Sequence, residues 1–395
     1  MRLPRLALAF AAIAVVAPAA ALADSGHVSD LVDELRGIQL RIAQGDKAAY
    51  PAQLNQLKTI GAAIAAASPE TWKNKRAADS LVIYILSGGS LPNVEPLLKG
   101  DALIESERSL ARGALAYVTN HETNAITLLK EADLTTLDAR LAGEVAFARS
   151  VLETKRDTKA AVDLLDWARL VEPGGLVEEA ALRREIALLA DARDMGRLTV
   201  LTRQYVSRFA ASLYAPDFLR DLAGAIARLG LVDDPADYKL LSSAVAALPP
   251  DSRRAFLLDL AKSGVISARF VAAASAATEA LEGSKADSPE AMRARLYLAA
   301  SRLFSDAYDA AIADLKTLSA SELDRTDASL LTAARKVAAE LRIVPDLNVF
   351  NTQNAAALPD ANKDKPSGPA LTIAQAQEAL QRTSSLAPTE SGGPP

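Results

Sequence analysis

Residues 176–218 read LVEEAALRREIALLADARDMGRLTVLTRQYVSRFAASLYAPDF and are the most informative stretch of this chain. Apolar residues recur at helical spacing in both of its halves. They are Leu182, Ile186 and Leu189 in the first half, and Leu198, Leu201, Tyr205 and Phe209 in the second. The turn-forming residues 191–196 separate the halves. This spacing predicts a helical hairpin with two apolar faces, followed by the start of a third helix.

Most of the chain between Val28 and Leu341 repeats this helix–turn–helix pattern. The other predicted helical segments are Val28–Gly45, Tyr50–Ala67, Pro69–Ser87, Glu105–Thr119, Glu122–Ala132, Ala139–Glu153, Thr158–Val171, Ala215–Leu229, Ala236–Ala247, Asp251–Lys262, Ala268–Leu281, Pro289–Phe304, Asp306–Leu318 and Asp327–Leu341. Ala125 and Ala161 occupy equivalent places 36 residues apart, close to the roughly 34-residue period of tetratricopeptide repeats. No run of alternating β-branched residues predicts a strand. We therefore predict an all-α, tetratricopeptide-like α-solenoid, either one elongated domain or two halves meeting near 235–250.

The first 23 residues have the pattern of a secretory signal peptide. Arg2 and Arg5 precede an apolar run over 6–16, and Ala21-Leu22-Ala23 has the small residues of a cleavage site. An uncleaved membrane anchor is the alternative, but the run is short for a span and Pro18 breaks it. We expect cleavage after Ala23, export to the periplasm and no membrane span in the mature protein, whose solenoid domain would cover 24–344.

The other end of the chain changes composition sharply. Residues 351–395 contain no aromatic residue and six prolines among small and polar residues. Such a segment cannot bury enough apolar surface to offset the entropy of ordering it. We predict a disordered tail over 345–395. One alternative is a short helix over Thr372–Arg382 that folds on a partner.

Charge and composition exclude several classes of function. The chain has a formal net charge of −5 and no cysteine. Removal of the leader takes away two arginines and no acid, which leaves the mature chain at −7. An acidic chain without basic runs has no positively charged segment of the kind that binds nucleic acid. Without disulfides, the fold must depend on buried apolar area.

Few residues suggest a chemical site. His27 and His121 are far apart and have no cysteine to complete a metal site, so we expect surface histidines and no metal or cofactor. The glycines of Ser87–Ser90 lack the continuation of a phosphate loop, and a helix-ending turn is the better interpretation. Trp72 and Trp167 are predicted to pack in the core. No nucleophile–base pattern is visible, so no catalytic residue is predicted and the protein is not expected to be an enzyme.

The densest charged cluster lies in the opening stretch, at Glu178-Glu179 and Arg183-Arg184-Glu185. It has two interpretations. A charged patch on the concave face of the solenoid would grip a partner. Alternatively, two acids in a first helical turn favour the helix dipole, and Glu179 and Arg183 form an i,i+4 ion pair. We favour the second interpretation.

Particular segments resemble a known family. LVEEAALRREI at 176–186 and RQYVSRFAASLYAPDF at 203–218 are similar to the periplasmic motility protein C family, MotC, of alphaproteobacterial flagella. Leu81–Leu98 and Glu107–Tyr117 resemble the amino-terminal half of the family. The resemblance covers about Val28 to Leu341 and thins after Gly230. It implies an exported, non-enzymatic accessory that is required for flagellar rotation and binds the periplasmic part of the stator protein MotB.

The concave face of the solenoid would then hold a MotB segment. The resemblance supplies no residue-level binding motif, so partner-binding residues remain unassigned; Arg183, Arg184, Tyr205 and Arg208 are candidate contacts. A generic periplasmic scaffold for envelope or peptidoglycan machinery is the alternative. A muramidase-like enzyme is a third, weaker hypothesis, because Glu105-Ser106 begins a repeat helix and no compact catalytic domain remains.

Overall fold

The computed structural model describes residues 18–341, and side chains over 27–341. Between these limits the chain is helical, with no strand. The α-helices are α1 (Pro18–Ala43), α2 (Ala49–Ala66), α3 (Lys75–Leu86), α4 (Glu95–Lys99), α5 (Glu105–Val118), α6 (Glu122–Lys130), α7 (Ala139–Glu153), α8 (Thr158–Val171), α9 (Leu176–Asp191), α10 (Met195–Phe209), α11 (Ala215–Leu229), α12 (Pro235–Val245), α13 (Pro250–Ile266), α14 (Phe270–Glu282), α15 (Pro289–Arg302), α16 (Tyr308–Thr317) and α17 (Arg325–Leu341). Short 3-10 helices cover Pro69–Lys73, Leu91–Asn93 and Ala320–Glu322.

Successive helices pack as antiparallel hairpins, which confirms the predicted all-α repeat architecture. From α3 to α15, each odd-numbered helix contacts the next odd-numbered helix. Most even-numbered helices pack on their sequence neighbours, but α12 packs on α10. The result is a two-layered stack of hairpins, the arrangement of an α-solenoid. A continuous apolar core runs from Leu182 to Ala338, so no boundary divides the structure near 235–250.

Side-chain caps explain where several helices begin. Asp138, Asp157 and Asp194 each accept a hydrogen bond from a backbone N–H in the first turn of α7, α8 and α10. A capping side chain satisfies one of the four backbone donors that a helix start leaves unpaired. At the other end of α11, Gly230 adopts a left-handed conformation with φ of 64°, a conformation that glycine adopts at little cost. Local capping therefore explains where these three helices begin and where α11 ends.

Small residues bring paired helices close together. A Cβ atom built on Gly113 of α5 would lie 2.8 Å from the Leu129 side chain of α6, and one on Gly264 of α13 would lie 2.9 Å from Ala273 of α14. Side chains at these two positions would push the helices apart.

Two predicted elements differ from the structure. The single helix expected over Pro69–Ser87 is a 3-10 helix followed by α3, because the Asn74 side chain accepts hydrogen bonds from the amides of Arg76 and Ala77 and starts a new helix there. The prediction that both tryptophans pack in the core is half wrong. Trp72 is buried, whereas Trp167 is 37 % exposed. It follows the buried Leu165 by two residues and so lies on the opposite side of α8.

The predicted leader (1–23) and tail (345–395) lie outside the residues whose side chains are described, and their limits stay predictions. Contacts divide the chain into a first unit, Met1–Ala338, and a second, Ala339–Pro395. Among the described residues, no helix is both long enough and apolar enough to cross a bilayer.

Candidate partner-binding surface

The charged cluster at the start of α9 is buried, not solvated. Glu178, Glu179 and Glu185 are all fully buried. The surface-patch interpretation is therefore wrong. The other interpretation holds in part: Glu178 and Glu179 lie in the first turn of α9, as predicted, but their side chains are buried. Burial of ionised groups is costly unless each is paired or hydrogen-bonded, so their partners decide what they do.

Glu178 and Glu179 tie α9 to α10. The Glu178 carboxylate accepts hydrogen bonds from the amide of Gly174 and the guanidinium of Arg208, and another at 3.0 Å from Gln204 Nε2. Glu179 accepts a hydrogen bond from Tyr205 Oη at 3.1 Å, and burial raises the pKa of its carboxyl above the usual value. These contacts lie within one hairpin and stabilise it.

Glu185 joins three helices. Its carboxylate pairs with Arg169 of α8 at 3.2 Å and with Arg197 of α10 at 2.7 Å. Asp166 shares both arginines. Burial, and next the charge of Asp166, raise the pKa of Glu185 to about 7. This network of ion pairs links the α7–α8 hairpin to the α9–α10 hairpin.

The four candidate contact residues have structural partners. Tyr205 is completely buried and cannot touch a partner protein. Arg184 donates to Thr154 Oγ1 at 2.8 Å. Arg183 lies over the ring of Tyr214, 5.0 Å from its centroid, and the expected Glu179–Arg183 ion pair is not among the ion pairs of the described residues. Arg208 remains about half exposed while it pairs with Glu178. None of the four stands free on a binding surface.

The amino-terminal helix α1 lies across the odd-numbered helices. It contacts α3 and also α9, which is far away in sequence. The buried guanidinium of Arg140 in α7 donates to the backbone carbonyl of Val32 at 2.8 Å and to Gln39 Oε1 at 3.2 Å. Arg36 pairs with the buried Glu172 at 2.8 Å. The layer of odd-numbered helices is therefore partly covered by the chain's own first helix.

The turn after α1 completes this arrangement. Gly45 has φ of 91°, and a Cβ atom built on it would lie 2.2 Å from the carbonyl oxygen of Ala211. Ala211 lies in the turn between α10 and α11. Only glycine fits this close contact, because any side chain would meet backbone. The α1–α2 turn is therefore seated against the turn that follows the α9–α10 hairpin.

A small cavity remains where α1, α3, α5, α7 and α9 converge. It has a volume of about 180 Å³. We call it the Glu144 cavity, and its lining includes Gln39, Ser87, Tyr117, Glu144, Phe147 and Val177. Glu144 has no hydrogen bond or ion pair among the described residues, although all the neighbouring charged groups do. Burial raises the pKa of Glu144 to about 7, although Arg140 on the same helix lowers it.

Sequence reasoning missed Glu144. A signal was present, because Glu144 interrupts an apolar stretch of α7, LAGEVAFA at 141–148. A single acid in such a stretch either lies on the solvent-facing side of the helix or is held at a buried functional site. Which of the two holds here depends on α1 and α9, which no local pattern brings together.

A larger groove lies next to this region but has its charges paired. It measures about 680 Å³ and is lined by residues of α1, α3 and the start of α7. Within it, Arg76 pairs with Asp33 and Lys75 with Asp79, each at 2.7 Å. Compensated, exposed pairs of this kind offer little net attraction to a charged partner.

The other predicted features stay on the surface or in turns. His27 and His121 are exposed. Gly88 closes α3 with φ of 89°, and Gly89 lies against the ring of Tyr84, so 87–90 is a tight helix-ending turn, as predicted. Within the described part of the chain, no group of three or more His, Asp or Glu side chains is placed to hold a metal ion.

Comparison with known proteins supplies the family. The model of the family described as chemotaxis protein MotC matches residues 1–391. This chain belongs to the MotC family. A curated relative, chemotaxis protein MotC of Rhizobium meliloti (strain 1021), is 25 % identical over 346 residues, which cover 85 % of this chain and 78 % of the relative. The chain therefore has an accessory role related to motility and chemotaxis.

One solved structure also matches. It is the TPR domain of P58(IPK), at 16 % identity and a TM-score of 0.24, covering 82 % of this chain and 97 % of that chain. Such a low score adds nothing to the fold described above. MotC membership and an all-helical repeat fold are together typical of proteins without catalytic activity.

Proposed function

We propose that this MotC-family chain is a non-enzymatic periplasmic accessory of the flagellar motor, that rotation requires it, and that it binds the periplasmic region of the stator protein MotB. The match of the MotC family model to residues 1–391 carries the proposal. The repeat architecture supports it, because stacked helical hairpins present extended surfaces to protein partners.

Export is consistent with the packing of α1. The described core residues of this helix begin at Val28, four residues beyond the Asp24 that cleavage after Ala23 would expose. Removal of the leader would therefore leave these core contacts in place. Amino-terminal sequencing of the protein from a periplasmic extract tests this part, with Asp24 as the expected first residue.

A deletion strain tests the function. Cells that lack the chain should assemble filaments and stators but fail to swim, and a plasmid copy should restore swimming. An unaltered swimming halo would contradict the proposal. Normal motility combined with an envelope or cell-shape defect would instead favour a generic periplasmic scaffold.

A further inference from the structure

The Glu144 cavity contains a carboxyl group without a partner. Glu144 makes no hydrogen bond or ion pair within the described part of the chain, and the cations around it are already engaged. Arg140 donates to Val32 and Gln39. Arg36 pairs with Glu172. Glu144 is half-buried and lines the cavity, so its carboxyl, which no donor of the described residues occupies, is available to a ligand that enters the cavity.

The walls of the cavity define what that ligand could be. The rings of Tyr117 and Phe147 line it, together with apolar side chains of α9 such as Val177. The Tyr117 hydroxyl has no hydrogen bond among the described residues. Aromatic walls beside a carboxylate favour a flat, weakly hydrated cation over a compact ammonium group. A guanidinium also has several N–H donors, enough for both carboxylate oxygens and the phenol.

We propose that the Glu144 cavity receives an arginine side chain of a partner protein, whose guanidinium pairs with the Glu144 carboxylate between the rings of Tyr117 and Phe147. A volume of about 180 Å³ is sufficient for one side chain but not for a folded segment. The partner's backbone would therefore lie outside the cavity. The identity of that partner rests on the function proposed above; the chemistry of the cavity does not.

Proton linkage follows from this arrangement. The charges of Arg140 on α7 and Glu172 after α8 act on the pKa of Glu144. The charges of Glu144 and of Arg184 on α9 act in turn on the pKa of the neighbouring Tyr117. With a pKa of about 7, Glu144 is largely neutral in mildly acidic solution and ionised in mildly basic solution. A cation binds the ionised form, so affinity should fall as the pH drops below about 7.

The first experiment probes the cavity without any partner. The full mature chain, with ¹³C-labelled glutamate carboxyls, is titrated by NMR in the presence of N-acetyl-arginine N-methylamide. The neutral isostere N-acetyl-citrulline N-methylamide is the control. We expect the arginine compound to lower the pKa of Glu144 and to perturb Tyr117, with no effect of the citrulline compound. Equal responses to both compounds, or no response to either, would overturn the proposal.

The second experiment uses the proposed partner. The affinity of the periplasmic region of MotB is measured for the wild type, for Glu144→Gln and for Glu122→Gln, a matched change at an exposed glutamate of α6. At about pH 8, Glu144→Gln should lose about tenfold or more of the affinity, and Glu122→Gln should lose none. Near pH 5.5, roughly, the wild type and Glu144→Gln should bind alike, because Glu144 is then protonated.

The outcomes separate the two proposals. If the wild type binds MotB and Glu144→Gln binds it equally well at both pH values, the arginine site is wrong and the proposed function stands. If the wild type does not bind MotB at all, the MotB assignment fails, and the arginine and citrulline titrations still decide what the cavity binds.

Discussion

The guanidinium of Arg140 in α7 donates a hydrogen bond to the carbonyl oxygen of Val32 in α1, at 2.8 Å and across 108 residues of sequence. With the Arg36–Glu172 pair, this bond holds the first helix against the middle of the solenoid. It also places Arg140 one turn from Glu144, the carboxyl of the cavity. The docking of α1 and the chemistry of the cavity are therefore coupled through one side chain.

Replacement of Arg140 should loosen α1. Arg140→Met keeps most of the side-chain length but removes both donors, so the free energy of unfolding should fall by about 1–3 kcal/mol. Amide hydrogen exchange should accelerate in α1 more than in α13 to α15. Arg156→Met, at an exposed arginine that pairs with Glu153, is the control and should change stability by less than about 0.5 kcal/mol. Unchanged exchange in α1 would contradict the proposed role of Arg140.

The α1–α2 turn provides a second test of the same docking. Gly45→Ala places a methyl group against the Ala211 carbonyl at a positive φ, and should destabilise the protein by about 2–4 kcal/mol. Gly88→Ala is the matched control, because Gly88 has nearly the same φ and open space around it. It should cost only the backbone strain, about 1–2 kcal/mol. Equal melting temperatures for the two variants would show that Gly45 does not contact Ala211 in solution.

Glu144 should make stability depend on pH. Its pKa rises from an ordinary 4.5 to about 7 on folding, so the folded state binds the proton more tightly. The stabilisation is complete below about pH 4.5 and is lost as the pH rises through about 7. Glu144→Gln removes this loss and should be more stable than the wild type by about 1–3 kcal/mol at about pH 8.

Near pH 4.5, roughly, the two proteins should have similar stability, since both side chains are then neutral. Glu185 has a pKa raised in the same direction, but it is unchanged in both proteins and cancels in the difference. Denaturant titrations at several pH values measure the effect. A constant difference across the pH range would contradict the raised pKa of Glu144.

The buried acids of α9 should matter for folding and not for recognition. Tyr205→Phe removes the hydrogen bond to Glu179 and leaves that carboxylate short of a donor, which should cost about 1–3 kcal/mol of stability. Affinity for a partner protein should not change, because Tyr205 is completely buried. Tyr50→Phe, at a half-exposed tyrosine of α2, is the control for stability. If folded Tyr205→Phe protein lost affinity for the partner, Tyr205 would have to take part in partner binding, which contradicts this prediction.

Local sequence predicted the repeat helices well where capping and apolar spacing agree. The limits of α7 and α8 match the predicted segments because Asp138 and Asp157 cap both helices. The same reasoning failed for Glu178 and Glu179. On a helix most carboxylates are solvated, and their burial here depends on Arg208, Gln204 and Tyr205 of the following helix.

The Glu144 cavity was beyond sequence reasoning for a related cause. Its walls come from five helices, and α1 contacts α9 although more than a hundred residues of sequence separate the two helices. Apolar period and capping describe each helix separately. They contain no information on which distant helix a hairpin will meet.

Direct binding to MotB tests the proposed motor function most clearly. The measurement is a calorimetric titration of the purified mature chain with the periplasmic region of MotB from the same organism, at about pH 8, where Glu144 is ionised. Saturable one-to-one binding that weakens as the pH falls toward about 5.5 is the predicted result. Absence of heat and of complex at every pH, with both proteins folded, would contradict it.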